Sequence, residues 1–201
     1  RLPESPSARV AVFKGSSEMH ISSILDYIDN GYMALPEFQR GYVWGREQVR
    51  GLFHSLYRGH PVGSLLVWAT EASTAAHRGD SPLAPGVVKL LLDGQQRITS
   101  LYGVIRGQPP RFFDGNARSF TDLRFNLETE EFEFFQPIKM RDDPLWIDVT
   151  ELMQQGNSGI GAFITKLNED PEHSAKIGDY MGRLNQLLSI REKAFHIEEV
   201  T

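Results

Sequence analysis

The sequence predicts an α+β protein, and three stretches predict it. Val87-Val88-Lys89-Leu90-Leu91-Leu92 is a short apolar run rich in branched residues, the composition of a strand buried on both faces. Leu123, Phe125 and Leu127, followed by Phe132 and Phe134, alternate with Arg124, Asn126, Glu131 and Glu133 as the two arms of a hairpin do, with a turn near Glu128-Thr129-Glu130. Ile177, Tyr180, Met181, Leu184, Leu187 and Leu188 recur at the helical period, so a long helix is expected from about Glu172 to Lys193.

Taken in order, the first dozen residues, with two prolines and two serines, read as a flexible lead-in. A first helix follows, capped by Ser22 or Ser23, stapled by Ile21, buried through Ile24, Leu25 and Ile28 and ended by Gly31. Leu35-Pro36 is extended, because the residue before proline avoids the helical region, and Phe38, Tyr42 and Trp44 then surround Arg40. A second helix runs from about Arg46 to Arg58, with Val49, Leu52, Phe53, Leu56 and Tyr57 on its buried face. Arg46, Arg50, His54 and Arg58 wind along the other side. Gly63-Ser64 leads into the strand-like Leu65-Leu66-Val67-Trp68, and the Ala, Ser, Thr, Gly and Pro of 71–86 form a long loop joining it to the Val87 strand. These two strands should be neighbours in one sheet. Trp146-Ile147-Asp148-Val149 is a further short strand with Thr150 capping the turn after it, and Phe163, Ile164 and Leu167 mark a short helix. Residues 194–201 alternate like a strand and stop without a turn, as an N-terminal piece of a longer protein would.

Composition narrows the function classes. The chain has 201 residues, 40% of them apolar and 23% charged, as in an ordinary soluble domain with one substantial core. It has no apolar run approaching the ~18 residues of a membrane span, and the expected compartment is the cytoplasm. Zero cysteines remove disulfides and thiolate metal sites, and the six histidines include no HxxxH pair. The net charge of −5 is unevenly spread: residues 1–118 hold 13 Lys/Arg against 10 Asp/Glu, residues 119–201 hold 8 against 16. An anionic ligand should therefore meet the first part of the chain.

In that part, the Val87 strand turns at Asp93-Gly94 and delivers Asp93, Gln95, Gln96 and Arg97 to the start of a helix that Gly107 ends. Unpaired N–H groups and the positive end of the helix dipole favour an anion there. Asp93 with Gln96 three residues on is also a capping box, which would satisfy helix donors and nothing else. Capping leaves Gln95 and Arg97 unexplained, whereas amides and a planar fork suit orienting a water and neutralising phosphoryl charge. The stretch is not a Walker A loop, since it has one glycine and no lysine. Arg40 has two readings: packed on an aromatic face in a core corner, or pointing with Gln39 into the same cleft while the aromatics wall it. The Arg46, Arg50, His54, Arg58 face is either solvated or a contact for a nucleic-acid backbone.

With these residues placed, the sequence resembles the N-terminal domain of GmrSD-type modification-dependent restriction proteins, a family related to the ParB/sulfiredoxin fold. Residues 35–44, LPEFQRGYVW, resemble the family's IPxFQRxYxW; Pro61-Val62-Gly63-Ser64 resembles its PxGS; and Leu92-Asp93-Gly94-Gln95-Gln96-Arg97-Ile98-Thr99 resembles LDGQQRxT. The resemblance implies a ParB-like core over 1–118, a mixed sheet with flanking helices, and a hairpin and helical extension of the same domain over 119–201, followed in the full protein by a nuclease domain. It implies an NTPase, with Mg²⁺ and GTP or ATP, that recognises foreign, often modified, DNA and controls a C-terminal HNH-type nuclease domain or a nuclease subunit. A phosphorothioate backbone is as compatible with arginines and aromatics as a modified base. By position, Asp93, Gln95, Gln96 and Arg97 would be catalytic, Asp93 also the metal ligand, with Gln39, Arg40, Gly94 and Thr99 binding nucleotide. DNA would meet Arg46, Arg50, His54 and Arg58, with Tyr42 and Trp44. A homodimer and a non-hydrolytic DNA-modification sensor using the same pocket stay open.

Overall fold

The computed structural model describes residues 13–201, so the lead-in expected over 1–12 lies outside the described residues. Strand β1 (Phe13–His20) runs straight into helix α1 (Ile21–Asp29), which buries Ile21, Ile24 and Leu25. Neither Ser22 nor Ser23 caps α1: both lie within its first turn and His20 stands at the cap with no side-chain bond. Tertiary contacts set the start instead, since the Ile21 amide donates to the Lys193 carbonyl at 2.9 Å and His20 Nδ1 lies 2.7 Å from the Glu192 carbonyl.

The two-residue β2 (Met33–Ala34) precedes α2 (Arg46–Arg58), which buries the five apolar residues the sequence assigned to it and ends at Gly59 in the left-handed conformation. Then come β3 (Leu65–Glu71), β4 (Val87–Asp93) and α3 (Gln95–Arg106). β3 and β4 pair antiparallel across the long loop, as neighbours, and the ends of β4 are exposed while Val88, Leu90 and Leu91 are buried. Lys89 of β4 is ion-paired with Glu199. Burial on both faces therefore holds only for the middle of that strand.

The predicted hairpin is β5 (Leu123–Asn126) and β6 (Phe132–Phe134); after the short α4 (Pro137–Met140), β7 (Trp146–Asp148) pairs on the other side of β5. α5 (Val149–Gln155) is capped by Asp148, whose carboxylate accepts from the Glu151 amide at 3.0 Å. Thr150, the expected cap, instead donates to the Val104 carbonyl at 2.8 Å and ties α5 to α3. α6 (Asn157–Leu167) follows. The long helix expected beyond it is three pieces: α7 (Pro171–Ser174), α8 (Ile177–Leu188) and a 3₁₀ turn at Ser189–Glu192. Lys176, with φ −109° and ψ 9°, breaks the backbone between α7 and α8, and the apolar period lies in α8.

β8 (Ala194–Val200) completes a five-stranded sheet of order β1-β8-β3-β4-β2. β3 with β8 and β2 with β4 are parallel, the other pairs antiparallel, so the sheet is mixed and the α+β class holds. Leu65 and Val67 of β3, Leu91 of β4, and Phe195 and Ile197 of β8 join Leu52, Phe53 and Leu56 of α2 and Ile98 and Leu101 of α3 in one core, continuous with Phe125, Phe132, Leu184 and Leu187. Alternation along β3 leaves Leu66, Trp68 and Thr70 half-exposed.

Candidate functional site

The three stretches that carry the sequence motifs meet at the start of α3. β4 ends at Asp93, and Gly94 turns the chain with φ 94° and ψ 3°, a left-handed conformation in which a Cβ would lie 2.2 Å from Leu65 Cδ2. Only glycine fits there. Gly94 rather than Asp93 is the N-cap residue and no side chain caps the helix, so the alternative reading of Asp93 and Gln96 as a capping box does not hold. The first amides of α3 have no helix carbonyl to donate to.

Gln96 is occupied elsewhere. Its Oε1 accepts from the backbone amides of Val43 (2.8 Å) and Trp44 (3.2 Å), and its Nε2 donates to the Gly41 carbonyl at 3.2 Å. Gln95 Nε2 donates to the Arg40 carbonyl at 2.5 Å, and Gln39 Nε2 donates to the Leu92 carbonyl at 2.7 Å. Both amides of the pair are buried, at 6% and 9% exposure. Together these bonds hold residues 39–44 as a rigid wall against the end of β4 and the start of α3.

Arg97 does the same on the other side. Its NH1 donates to the Val62 carbonyl at 2.5 Å and its NH2 to the Ser64 carbonyl at 2.8 Å, with Asp93 Oδ2 3.3 Å from NH2. The guanidinium carbon lies 5.8 Å from the centre of the Phe195 ring, and the side chain is 15% exposed. Burial pulls its pKa below the ordinary arginine value and the Asp93 carboxylate pulls the other way. Gly63 is required beneath it: at φ 82°, a Cβ would come within 2.7 Å of NH1.

What these contacts enclose is a polar cleft of about 240 Å³ lined by Gln39, Arg40, Trp44 and residues 92–97. Two charged groups remain available in it. Asp93 is 75% exposed with Arg97 as its one ion-pair partner, and Arg40 is exposed with its side chain free of any hydrogen bond or ion pair among the described residues. Nor does the Arg40 guanidinium lie over an aromatic ring of the described residues. Thr99 is buried within α3. Tyr42 is also buried, 5.7 Å from Phe113 and 5.6 Å from Phe120 between ring centres, with its hydroxyl 2.8 Å from Ser100 Oγ; burial pushes its pKa up to about 12 against the lowering effect of that bond. Tyr42 thus anchors the 39–44 wall from inside rather than offering a DNA contact, while Trp44 lines the cleft.

The basic side of α2 is apart from this cleft and already has partners. Arg50 pairs with Glu47 at 2.5 Å, and Arg58 lies 3.8 Å from Glu130 of the hairpin turn. Arg46 donates through Nε to the Arg118 carbonyl at 3.2 Å, its guanidinium 4.7 Å from the centre of the Phe134 ring. His54 lines a depression with Glu47 and Glu131. The acidic hairpin therefore meets the basic helix through Arg58 and Glu130, while Arg50 is offset within its own helix. Sequence reasoning missed the carbonyls of Val62, Ser64 and Leu92, which fix the cleft. Backbone acceptors have no residue signature, although the Gly63-Ser64 turn marks where two of them lie.

Two comparisons bear on this arrangement. An uncharacterized protein of Methanocaldococcus jannaschii is 34% identical over an alignment of 96 residues that covers 41% of this chain and 17% of that protein, so the chain matches a small part of a longer relative. The family model of the GmrSD restriction endonuclease N-terminal domain matches residues 21–195, nearly all of the described chain from α1 into β8. With its motifs knitted around one cleft, the chain belongs to the GmrSD restriction endonuclease N-terminal domain family.

Proposed function

We propose that this domain binds a nucleoside triphosphate with its phosphates in the cleft at the start of α3, hydrolyses it, and uses the cycle to control a nuclease acting on modified DNA. The observation that carries the reading is the presence, at one uncapped helix N-terminus with bonded walls, of Arg40, an exposed guanidinium with no partner among the described residues, and Asp93, a carboxylate 75% exposed beyond its contact with Arg97. Phosphoryl transfer needs positioning and charge neutralisation more than covalent chemistry, and a rigid polar cleft supplies both. Arg40 supplies the positive charge, the α3 amides donate to phosphate oxygens, and Gln95 Oε1, which has no hydrogen bond among the described residues, orients the attacking water. Gln96 and Arg97 act as positioning residues. Among the described residues no group of three or more His, Cys, Asp or Glu forms a metal cage. Mg²⁺ fits here only through Asp93, completed by phosphate oxygens and water, a coordination this ion commonly takes. Bound there it would neutralise phosphate charge.

A second reading, a non-hydrolytic sensor that grips a DNA backbone or a modified nucleotide, is favoured by the engagement of the glutamine amides, which leaves little to orient a water. Phosphate release measured with Mg²⁺ and each of the four NTPs, with and without DNA, separates the two. Release abolished by Asp93→Ala or Arg40→Ala in a folded protein supports the NTPase. No release, with anion binding that depends on Arg40, supports the sensor.

A further inference from the structure

A larger space opens beside the cleft. It measures about 770 Å³ and is lined by Phe38, Trp68, Leu92 and Val200, with Thr70, Glu71, Ser73 and Thr74 on its polar side. Leu92 lines both spaces, and its carbonyl is the acceptor for Gln39, so the two meet at the residue that anchors the 38–40 turn. Phe38 is 74% exposed although it immediately precedes two residues of the cleft wall. Trp68 stands half-exposed on β3, between Leu90 of β4 and Val200 of β8 in the register of the sheet. Packing does not account for an aromatic ring left in solvent beside a half-buried indole.

We propose that this aromatic shelf is a nucleobase subsite, taking a base between Phe38 and Trp68 while the attached phosphates lie in the polar cleft. The proposal rests on the reading of that cleft as a phosphate site and adds what the cleft cannot supply, recognition of the ring. A ligand that fills both spaces must be planar and weakly polar at one end and anionic at the other, which is the chemistry of a nucleotide. Its volume lies within the range of small-molecule sites. Aromatic stacking accepts any base through its π-face. Glu71 and Ser73 also line the space, and a carboxylate and a hydroxyl are the acceptors that the amino and imino N–H groups of a base edge would need. The base can come from a free nucleotide or from an unstacked position in DNA, and the two sources are distinguishable.

The test is calorimetric binding to the whole chain of three probes: a non-hydrolysable nucleoside triphosphate, inorganic tripolyphosphate, and a short single-stranded oligonucleotide. Phe38 is exposed, so Phe38→Ala should leave the fold intact. It should weaken the nucleotide about tenfold, leave tripolyphosphate unchanged, and be rescued by Phe38→Trp, whereas Arg40→Ala should weaken both. The same loss seen with the oligonucleotide and not with the nucleotide keeps the shelf and assigns its base to DNA. If nucleotide and tripolyphosphate bind in an Arg40-dependent way but neither nucleotide nor oligonucleotide responds to Phe38→Ala, the shelf is overturned and the cleft stands. If neither phosphate probe binds the wild-type chain and the oligonucleotide is indifferent to Phe38→Ala, both readings fall.

Discussion

The cleft at the start of α3 and the outer side of α2 hold the same cation to different ends. Along α2, Arg50 and Arg58 are matched by Glu47 and Glu130, and Arg46 lies over Phe134. At the cleft, Arg97 is held by two carbonyls and a carboxylate, and Arg40 is left without a partner among the described residues. A count of positive residues ranks the α2 side first as an anion site, and the bonding ranks it second. What a ligand meets is the charge the fold has not already used.

The largest effect should come from Arg97. Arg97→Ala leaves the Val62 and Ser64 carbonyls unpaired and should lower stability by about 3 kcal/mol, measured by denaturant unfolding; any loss of hydrolysis would then report the collapse of the cleft. Arg40→Ala should do the reverse. It should leave stability within about 0.5 kcal/mol and reduce phosphate release on the order of 100-fold, and equal release by the variant and the wild type would remove Arg40 from the site. A smaller effect concerns two buried tyrosines at high pH, Tyr42 behind the cleft wall and Tyr102 of α3, whose hydroxyl donates to Asp29 of α1. Burial raises Tyr42 and Tyr102 to about 12 from 10, with the bond to Asp29 adding to the rise at Tyr102. A tyrosine whose folded pKa exceeds its unfolded one contributes stability that is fully present below pH 10 and is lost as the pH rises through about 12. Tyrosinate absorbance should therefore lag the ordinary titration until the protein opens, and Tyr42→Phe should remove part of that lag. The smallest effect is expected on α2: Arg50→Ala should change DNA affinity by less than about threefold, because an exposed ion pair contributes little and its charge is already offset. A steep loss of binding and of its salt dependence would return α2 to the DNA surface.

Much of the framework was legible in the sequence because periodicity reports burial directly. α2, the β3–loop–β4–α3 succession and the β5–β6 hairpin follow from patterns of apolar residues that the core then uses. β1 was not legible, since GSSEM within it offers no alternating apolar face and its partner β8 lies far along the chain. The break at Lys176 was hidden because the apolar period lies wholly in α8, and residues 171–174 before it carry no pattern that marks where one helix ends and the next begins. At the cleft, the sequence identified Gln39, Arg40 and the Asp93–Arg97 turn as one constellation, and the contacts among them are close. It did not distinguish Arg40 from Arg97, because residue type sets the number of donors and only the fold decides who receives them. Nor did it separate Tyr42 from Trp44, two aromatics two residues apart that point to the core and to the cleft.

The position of β8 governs the order in which this protein can assemble. Residues 194–200 lie between β1 and β3, so the amide edges of both strands wait for a partner that the ribosome makes last among the described elements. Until residue 200 has emerged, β1 lacks its strand partner among the described residues, and the core face of β3 and α2 lacks Phe195 and Ile197. Joining segments so far apart in sequence is slow, and open strand edges invite association with other chains in the meantime. The Arg97 guanidinium beside Phe195 makes the same closure a condition of the site. During synthesis the cleft is finished only when the sheet is, so a nascent or truncated chain that ends before β8 would expose its motifs without yet forming the cleft they build.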